Sequence, residues 1–212
     1  MDKISVTLTH CNRLDTLQQT IDSFLKTNTY PIDEFIIIDD SNNPICKEHI
    51  INTYKEAQII INPQRTGQKR SLDILFNQCR NEYIFHLEDD WMFDQRNSYM
   101  EKSLQILLDN PHIHQVAVRH ERDNPHKASI SIPNATYNIM DSNFRGIWNG
   151  FSWNPGLRRK SDYKRMFPDG FVAFKDEADC AEHTKNFNYK TAILKDTACY
   201  HIGYNKHVVD VN

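Results

Sequence analysis

Apolar and polar positions divide the first ninety residues into alternating stretches of two periods. "ISVTLT" (4–9) alternates in twos, as a strand does. Leu14, Leu17, Ile21, Phe24 and Leu25 then recur at helical spacing, and Asn12 is placed to cap that helix. Pro31 interrupts the chain before "EFIIID" (34–39), a continuous apolar run of the kind that parallel strands need when covered on both faces. "NNPICKEHIINTYKE" reads as a turn and a short helix, and "AQIII" (57–61) as a third strand. Asn62-Pro63 and Gly67 mark a loop, after which Leu72, Leu75, Phe76 and Cys79 line one side of a helix. "EYIFHL" (82–87) makes a fourth strand.

This order predicts an α/β fold: an open, mostly parallel sheet with helices on both faces. Such sheets bind ligands at the carboxyl ends of their strands. Here those ends read "THCNR", "DDSNN", "NPQRTG" and "EDDW", all polar. A helix is expected from about Ser98 to Leu108, closed by Asn110-Pro111, and then the strand "QVAVRH". The second half is richer in Asn, Trp, Phe and His, with shorter strands and no clear linker. It reads as a continuation of the same core: one domain over residues 1–212, with a ligand-binding half (1–95) and a second half (96–212).

Composition narrows the classes. A chain of 212 residues can bury one substantial core. A net charge of −3 exerts no general pull toward nucleic acid or anionic membranes. The longest apolar runs are too short to span a bilayer, and Met1-Asp2-Lys3 leads directly into a strand without a secretory pattern. Cys11, Cys46, Cys79, Cys180 and Cys199 are scattered, with no CxxC pair, which favours reduced thiols in the cytoplasm.

The candidate chemistry centres on Glu88-Asp89-Asp90. Three adjacent acids at the end of an apolar strand fit either a solvated turn or a divalent-cation site. Trp148 and Trp153, set among Gly and Asn, fit sugar-binding faces and core positions equally well. Asp176, Glu177 and Asp179 open an expected helix, where acids are favoured whatever their function.

"ISVTLTHCNRLDTLQQTIDSFL", "FIIIDDSNN" and "NPQRTGQKRSLDILFNQCRNEYIFHLEDDW" together resemble family 2 glycosyltransferases, closely over the first half and more loosely over the second. The resemblance implies the GT-A fold and a metal-dependent, inverting transfer of a hexosyl or deoxyhexosyl group. The donor would be a nucleotide sugar, UDP-linked in this reading, and the acceptor a hydroxyl of a glycan or glycoprotein. The family's Asp-x-Asp motif is replaced here by Glu88-Asp89-Asp90. Asp90 would bind Mn²⁺ or Mg²⁺ directly, while Glu88 and Asp89 would act through water or on the donor ribose and sugar. His201, in "ACYHIGYN", would complete the metal shell and tilt preference to Mn²⁺. Asp39 would accept from the base, flanked by Thr9 and Arg13, with Arg65, Gln68 and Lys69 beneath the nucleotide. Glu177 would be the catalytic base, with Asp176 and Asp179 as the alternatives for that role and Asp176 otherwise beside the sugar. Asn154-Pro155-Gly156 would lie under donor and acceptor, and Arg158 would meet an anionic acceptor or the surface. Two other functions fit the pattern less well. A sugar nucleotidylyltransferase would need an early GxGxR-type loop, which is lacking, and an inactive carbohydrate- or nucleotide-binding module would explain Glu88 but not Glu177.

Overall fold

The computed structural model describes residues 2–120, 126–133, 135–140 and 150–204. Its first half follows the hydrophobic pattern: β1 (Ile4–His10), α1 (Leu14–Thr27), β2 (Glu34–Asp39), α2 (Pro44–Thr53), β3 (Gln58–Ile61), α3 (Gln68–Gln78) and β4 (Tyr83–Glu88). A short β5 (Trp91–Phe93), α4 (Tyr99–Asp109) and β6 (Ile113–Ala117) follow. The remainder comprises β7 (His126–Ile132), β8 (Ala135–Met140), β9 (Gly156–Arg159), α5 (Lys160–Met166), α6 (Glu177–Thr184), β10 (Lys190–Leu194) and β11 (Cys199–His201). Two single-turn 3-10 helices, at 171–173 and 185–187, flank α6.

Among the described residues one sheet of nine strands runs in the order β3-β2-β1-β4-β9-β6-β10-β8-β7. Only β8 and β9 run against the others. The sheet therefore unites both halves of the chain, and β1, β2, β4 and β6 deliver their carboxyl ends to one edge. The period of two decides which face each residue covers. Val6, Leu8, Ile37, Phe85 and Leu87 pack with Leu17, Ile21 and Phe24 of α1 and with Tyr99, Met100, Leu104 and Leu107 of α4. Ile36, Ile38 and Ile84 pack on the opposite face with Leu72, Leu75 and Phe76 of α3 and with Tyr163, Phe167 and Phe171. Phe24 stacks on Phe85 at 5.7 Å and meets Phe93 edge-on at 5.4 Å, tying α1 to the segment beyond the acidic turn.

The start of α1 departs from expectation. Asn12 takes a left-handed φ of 57° and Arg13 occupies the cap position, with no side-chain cap bond. The Asn12 side chain instead accepts from Asn43 Nδ2 at 3.1 Å, linking the β1 and β2 loops. At α2, Asn43 caps Ile45 N–H at 3.0 Å and Pro44 takes the first helical position, where its missing donor costs nothing.

Candidate active site

The carboxyl ends of β1, β2 and β4 open onto a cavity of about 430 Å³. It is lined by Thr9, Arg13, Arg65, Gln68, Glu88, Asp89, Asp90, Asn154, Glu177 and His201, together with His10, Cys11, Asp40, Ser71, Trp91, Arg119 and Tyr204. Residues from eight separate segments thus converge where an open α/β sheet ordinarily binds its ligand.

The acidic turn occupies one side. Asp89 is buried, and its Oδ2 accepts from the Cys11 backbone N–H at 3.1 Å. Burial pushes its carboxyl up to about 6, against the opposing pull of Arg13 and His10. Asp90 Oδ2 meets His201 Nε2 at 3.0 Å and accepts from Arg13 Nη1 at 2.5 Å. Burial alone would raise Asp90, but the His201 bond and the Arg13 charge together hold it below 3.8. Glu88 accepts from Gln68 Nε2 at 2.7 Å, and from Trp91 Nε1 and Asn154 Nδ2 at 3.1 Å each. Burial lifts it to about 7, with Asp90 and Glu177 adding to the rise.

His201 reaches Asp90 across 111 residues because β11 pairs antiparallel with β5, placing it opposite Trp91. The pairing continues from Ile202 N–H to Asp90 O at 2.8 Å. Gly203 follows at the closest point: a Cβ there would lie 2.4 Å from Asp90 Oδ2, so the chain passes only without a side chain. His10 is also defined by its partners. Its Nε2 accepts from the Arg13 backbone N–H at 3.1 Å, so its proton sits on Nδ1 and is donated to Asp39 Oδ1 at 3.0 Å.

Glu177 faces the same cavity from the start of α6. Its Oε1 accepts from Trp153 N–H at 2.8 Å. Burial raises its pKa, opposed by that bond, by Ser152, and by the Arg119 and Arg158 charges. A second cavity of about 410 Å³ adjoins it, lined by Arg119, Phe151, Ser152, Asn154, Glu177, Ala178 and Ala181. Glu177, Asn154 and Arg119 stand at the boundary between the two. Arg119 donates to Asn154 Oδ1 and lies over the Trp91 ring at 5.2 Å.

Other sequence candidates lie elsewhere. Asp39 is buried behind the cavity, held by His10, Ser41 N–H and Ser41 Oγ. Its neighbour Asp40 lines the cavity and fastens the loop before α3, accepting from Asn62 Nδ2, Thr66 N–H and Gly67 N–H at 2.7–2.8 Å. Lys69 is drawn away to the carbonyls of Phe174 and Lys175 at 2.8 and 2.7 Å. Asp176 caps α6 through Asp179 N–H at 2.9 Å. Trp153 is buried in the core, edge-on to Phe171 at 5.9 Å, and only its backbone reaches Glu177. Trp148 lies outside the described residues. Arg158 is neither at the surface nor in the cavity: it is 4% exposed, over the Phe76 ring at 5.4 Å. Burial lowers it to about 10, with Glu88 and Glu177 holding it up. Arg119 was missed by sequence reasoning; the signal for it was its place just beyond a strand that enters the sheet parallel to β1.

The sequence model of glycosyl transferase family 2 matches residues 5–171. The chain belongs to that family. No curated protein sequence matches the chain. Among solved structures it is similar to the mannosyltransferase PcManGT from Pyrobaculum calidifontis, determined in complex with GDP-Man and Mn²⁺. That match has 15% identity and a TM-score of 0.66, and it covers 97% of this chain and 58% of the other. It is also similar to S. aureus TarS (14% identity, TM-score 0.61), covering 93% of this chain and 59% of that one. The chain thus spans under two thirds of the length of these structures, and at such identities the likeness establishes the fold, which is GT-A. Among the described residues no helix is long and apolar enough to cross a membrane.

Among the described residues no group of three or more His, Cys, Asp or Glu side chains is gathered as a metal site, and the acidic turn offers one pair of donors. Asp90 offers carboxylate oxygen and His201 an imidazole nitrogen, 3.0 Å apart at the cavity wall, a donor pair suited to Mn²⁺.

Proposed function

We propose that this chain is a metal-dependent, inverting glycosyltransferase that moves a hexosyl or deoxyhexosyl group from a nucleoside-diphosphate donor to a hydroxyl of a glycan or glycoconjugate. The observation that carries this reading is the shared cavity. Asp90 in contact with His201, the proposed cation ligands, and Glu177, a carboxylate of raised proton affinity, line the same space.

Asp90 and His201 would hold Mn²⁺ or Mg²⁺, which supplies Lewis-acid stabilisation of the charge that develops on the leaving diphosphate. Arg65 and Gln68 line the cavity where the loop before α3 meets its N-terminus, a position suited to phosphate or ribose oxygens. Thr9, His10 and Cys11 at the end of β1 form the floor on which the base would rest, with Asp40 shaping the adjoining loop. Glu88, held by Gln68, Asn154 and Trp91, would receive hydroxyls of the ribose or the donor sugar. The acceptor would approach through the second cavity, which reaches Glu177. Its hydroxyl oxygen forms the new bond to the anomeric carbon while the bond from that carbon to the diphosphate oxygen breaks. The hydroxyl proton passes to Glu177, and the nucleoside diphosphate leaves with the electron pair. Uridine is our first choice of base. The cytoplasm is the proposed setting, and the whole chain is proposed to act as one GT-A domain.

Calorimetry with UDP and with GDP, each in Mn²⁺ and in excess chelator, tests this directly. One of the two should bind tightly only with metal, and Asp90→Ala should abolish that dependence. Equal binding in chelator would overturn the metal assignment. GDP binding in place of UDP would overturn the choice of base, and no binding of either would overturn the donor site.

A further inference from the structure

Arg13 leaves β1 just before α1 and turns its guanidinium back across the acidic turn. Nη1 donates to Asp90 Oδ2 at 2.5 Å, Nη2 donates to Asp89 Oδ1, and the side chain is only 17% exposed. One planar fork therefore bridges the carboxylates of two consecutive residues. The Asp90 oxygen that it engages is the same one that meets His201 Nε2 at 3.0 Å. A divalent ion held by Asp90 and His201 would sit beside the guanidinium charge and compete with it for the Asp90 carboxylate. The diphosphate of a donor, entering the cavity that Arg13 lines, offers the guanidinium a second anionic partner of matching geometry.

We propose that Arg13 is a resident counter-ion of the acidic turn, displaced when the divalent cation binds and received by the donor diphosphate, so that metal and nucleotide bind as a coupled pair. The inference rests on the metal-dependent reading above. It adds that the free enzyme resists the cation alone, because binding it means expelling a positive group already in place. It also assigns Arg13 two successive partners, carboxylates first and phosphate second. By linkage, whatever factor the nucleotide adds to metal affinity, the metal adds to nucleotide affinity.

The test is Mn²⁺ binding at about pH 8, where ordinary carboxylates are ionised, followed by titration calorimetry on the wild type, Arg13→Met and Arg13→Lys. Each is measured alone and with saturating UDP or GDP. Arg13→Met should bind Mn²⁺ without nucleotide about tenfold or more tightly than wild type, since one competing charge is gone. Arg13→Lys, which keeps the charge but cannot bridge both carboxylates, should fall between. The enhancement of Mn²⁺ affinity by nucleotide should shrink in Arg13→Met by about the same factor. Should Arg13→Met unfold in chelator, the Arg13→Lys comparison decides alone. Variants that bind Mn²⁺ no more tightly than wild type, while wild type binds it with nucleotide, would overturn the inference and leave the metal reading intact. Failure of wild type to bind Mn²⁺ even with UDP or GDP would overturn both.

Discussion

Glu177 and Asp90 share a cavity and carry opposite shifts, and the difference lies in their partners. Asp90 has a guanidinium and an imidazole against one oxygen, which outweigh its burial. Glu177 has a backbone N–H and more distant cations, which do not. A carboxylate raised toward neutrality is the better proton acceptor at physiological pH. Glu177→Gln, which keeps the shape and loses the acceptor, should lower transfer by about 10²- to 10⁴-fold in a radiolabelled-sugar assay. Its nucleotide affinity should stay at the wild-type value. The base must be ionised, so kcat/KM should fall as pH drops through the raised Glu177 value, placing the acid limb above the ordinary carboxylate range. A limb at the ordinary value would remove Glu177 from the role.

At the scale of elements, two tethers bring distant segments to the sheet edge. The first is the β5–β11 pairing, which carries His201 to Asp90 and leaves room only for hydrogen at Gly203. Gly203→Ala should displace the Asp90 carboxylate and weaken metal-dependent nucleotide binding in calorimetry by about tenfold or more, with little change in melting temperature. An unchanged affinity would show that β11 can shift without cost. The second is Asp73 on α3, which is buried and accepts from Tyr163 OH and Phe171 N–H at 2.8 Å and Val172 N–H at 3.1 Å. These bonds hold the turn that leads into α6 and Glu177. Asp73→Ala strands two buried donors and a part-buried third, and should cost about 2–4 kcal/mol in urea unfolding. Gly170, at φ +78°, packs against the same carboxylate, its would-be Cβ only 2.5 Å from Oδ2. The helix and strand periods made α3 and β4 legible from the chain. These tethers were not, because a hydrogen bond between segments ninety residues apart leaves no periodic trace.

For the whole molecule, concentrating acids at one edge ties stability to pH. Glu88 rises from 4.5 to about 7 and Asp89 from 3.8 to about 6, so the folded protein holds these protons more tightly than the unfolded chain does. Their contribution is fully present below the unfolded values and is lost as pH rises through the folded ones. Thermal melts of the metal-free protein should therefore decline between about pH 4.5 and 7, and Mn²⁺ with the bound nucleotide should flatten that decline. Asp90 acts in the opposite sense, its contribution falling away as pH drops below 3.8. The chain by itself determined the strand–helix alternation, the α/β class and the polar strand ends, since these follow from local periodicity and from the rule that parallel strands point their carboxyl ends one way. It also marked Glu88-Asp89-Asp90, while the family resemblance pointed to His201 and Glu177. Only the tertiary structure decided that Asp40 and not Asp39 faces the cavity, because that depends on which carboxylate His10 and Ser41 claim. It alone turned Trp153 into the core, drew Lys69 to a distant loop, buried Arg158 and set Arg119 at the boundary of the two cavities. Each of those placements is a choice among partners brought together by folding, and a sequence names the candidates without saying which pair will meet.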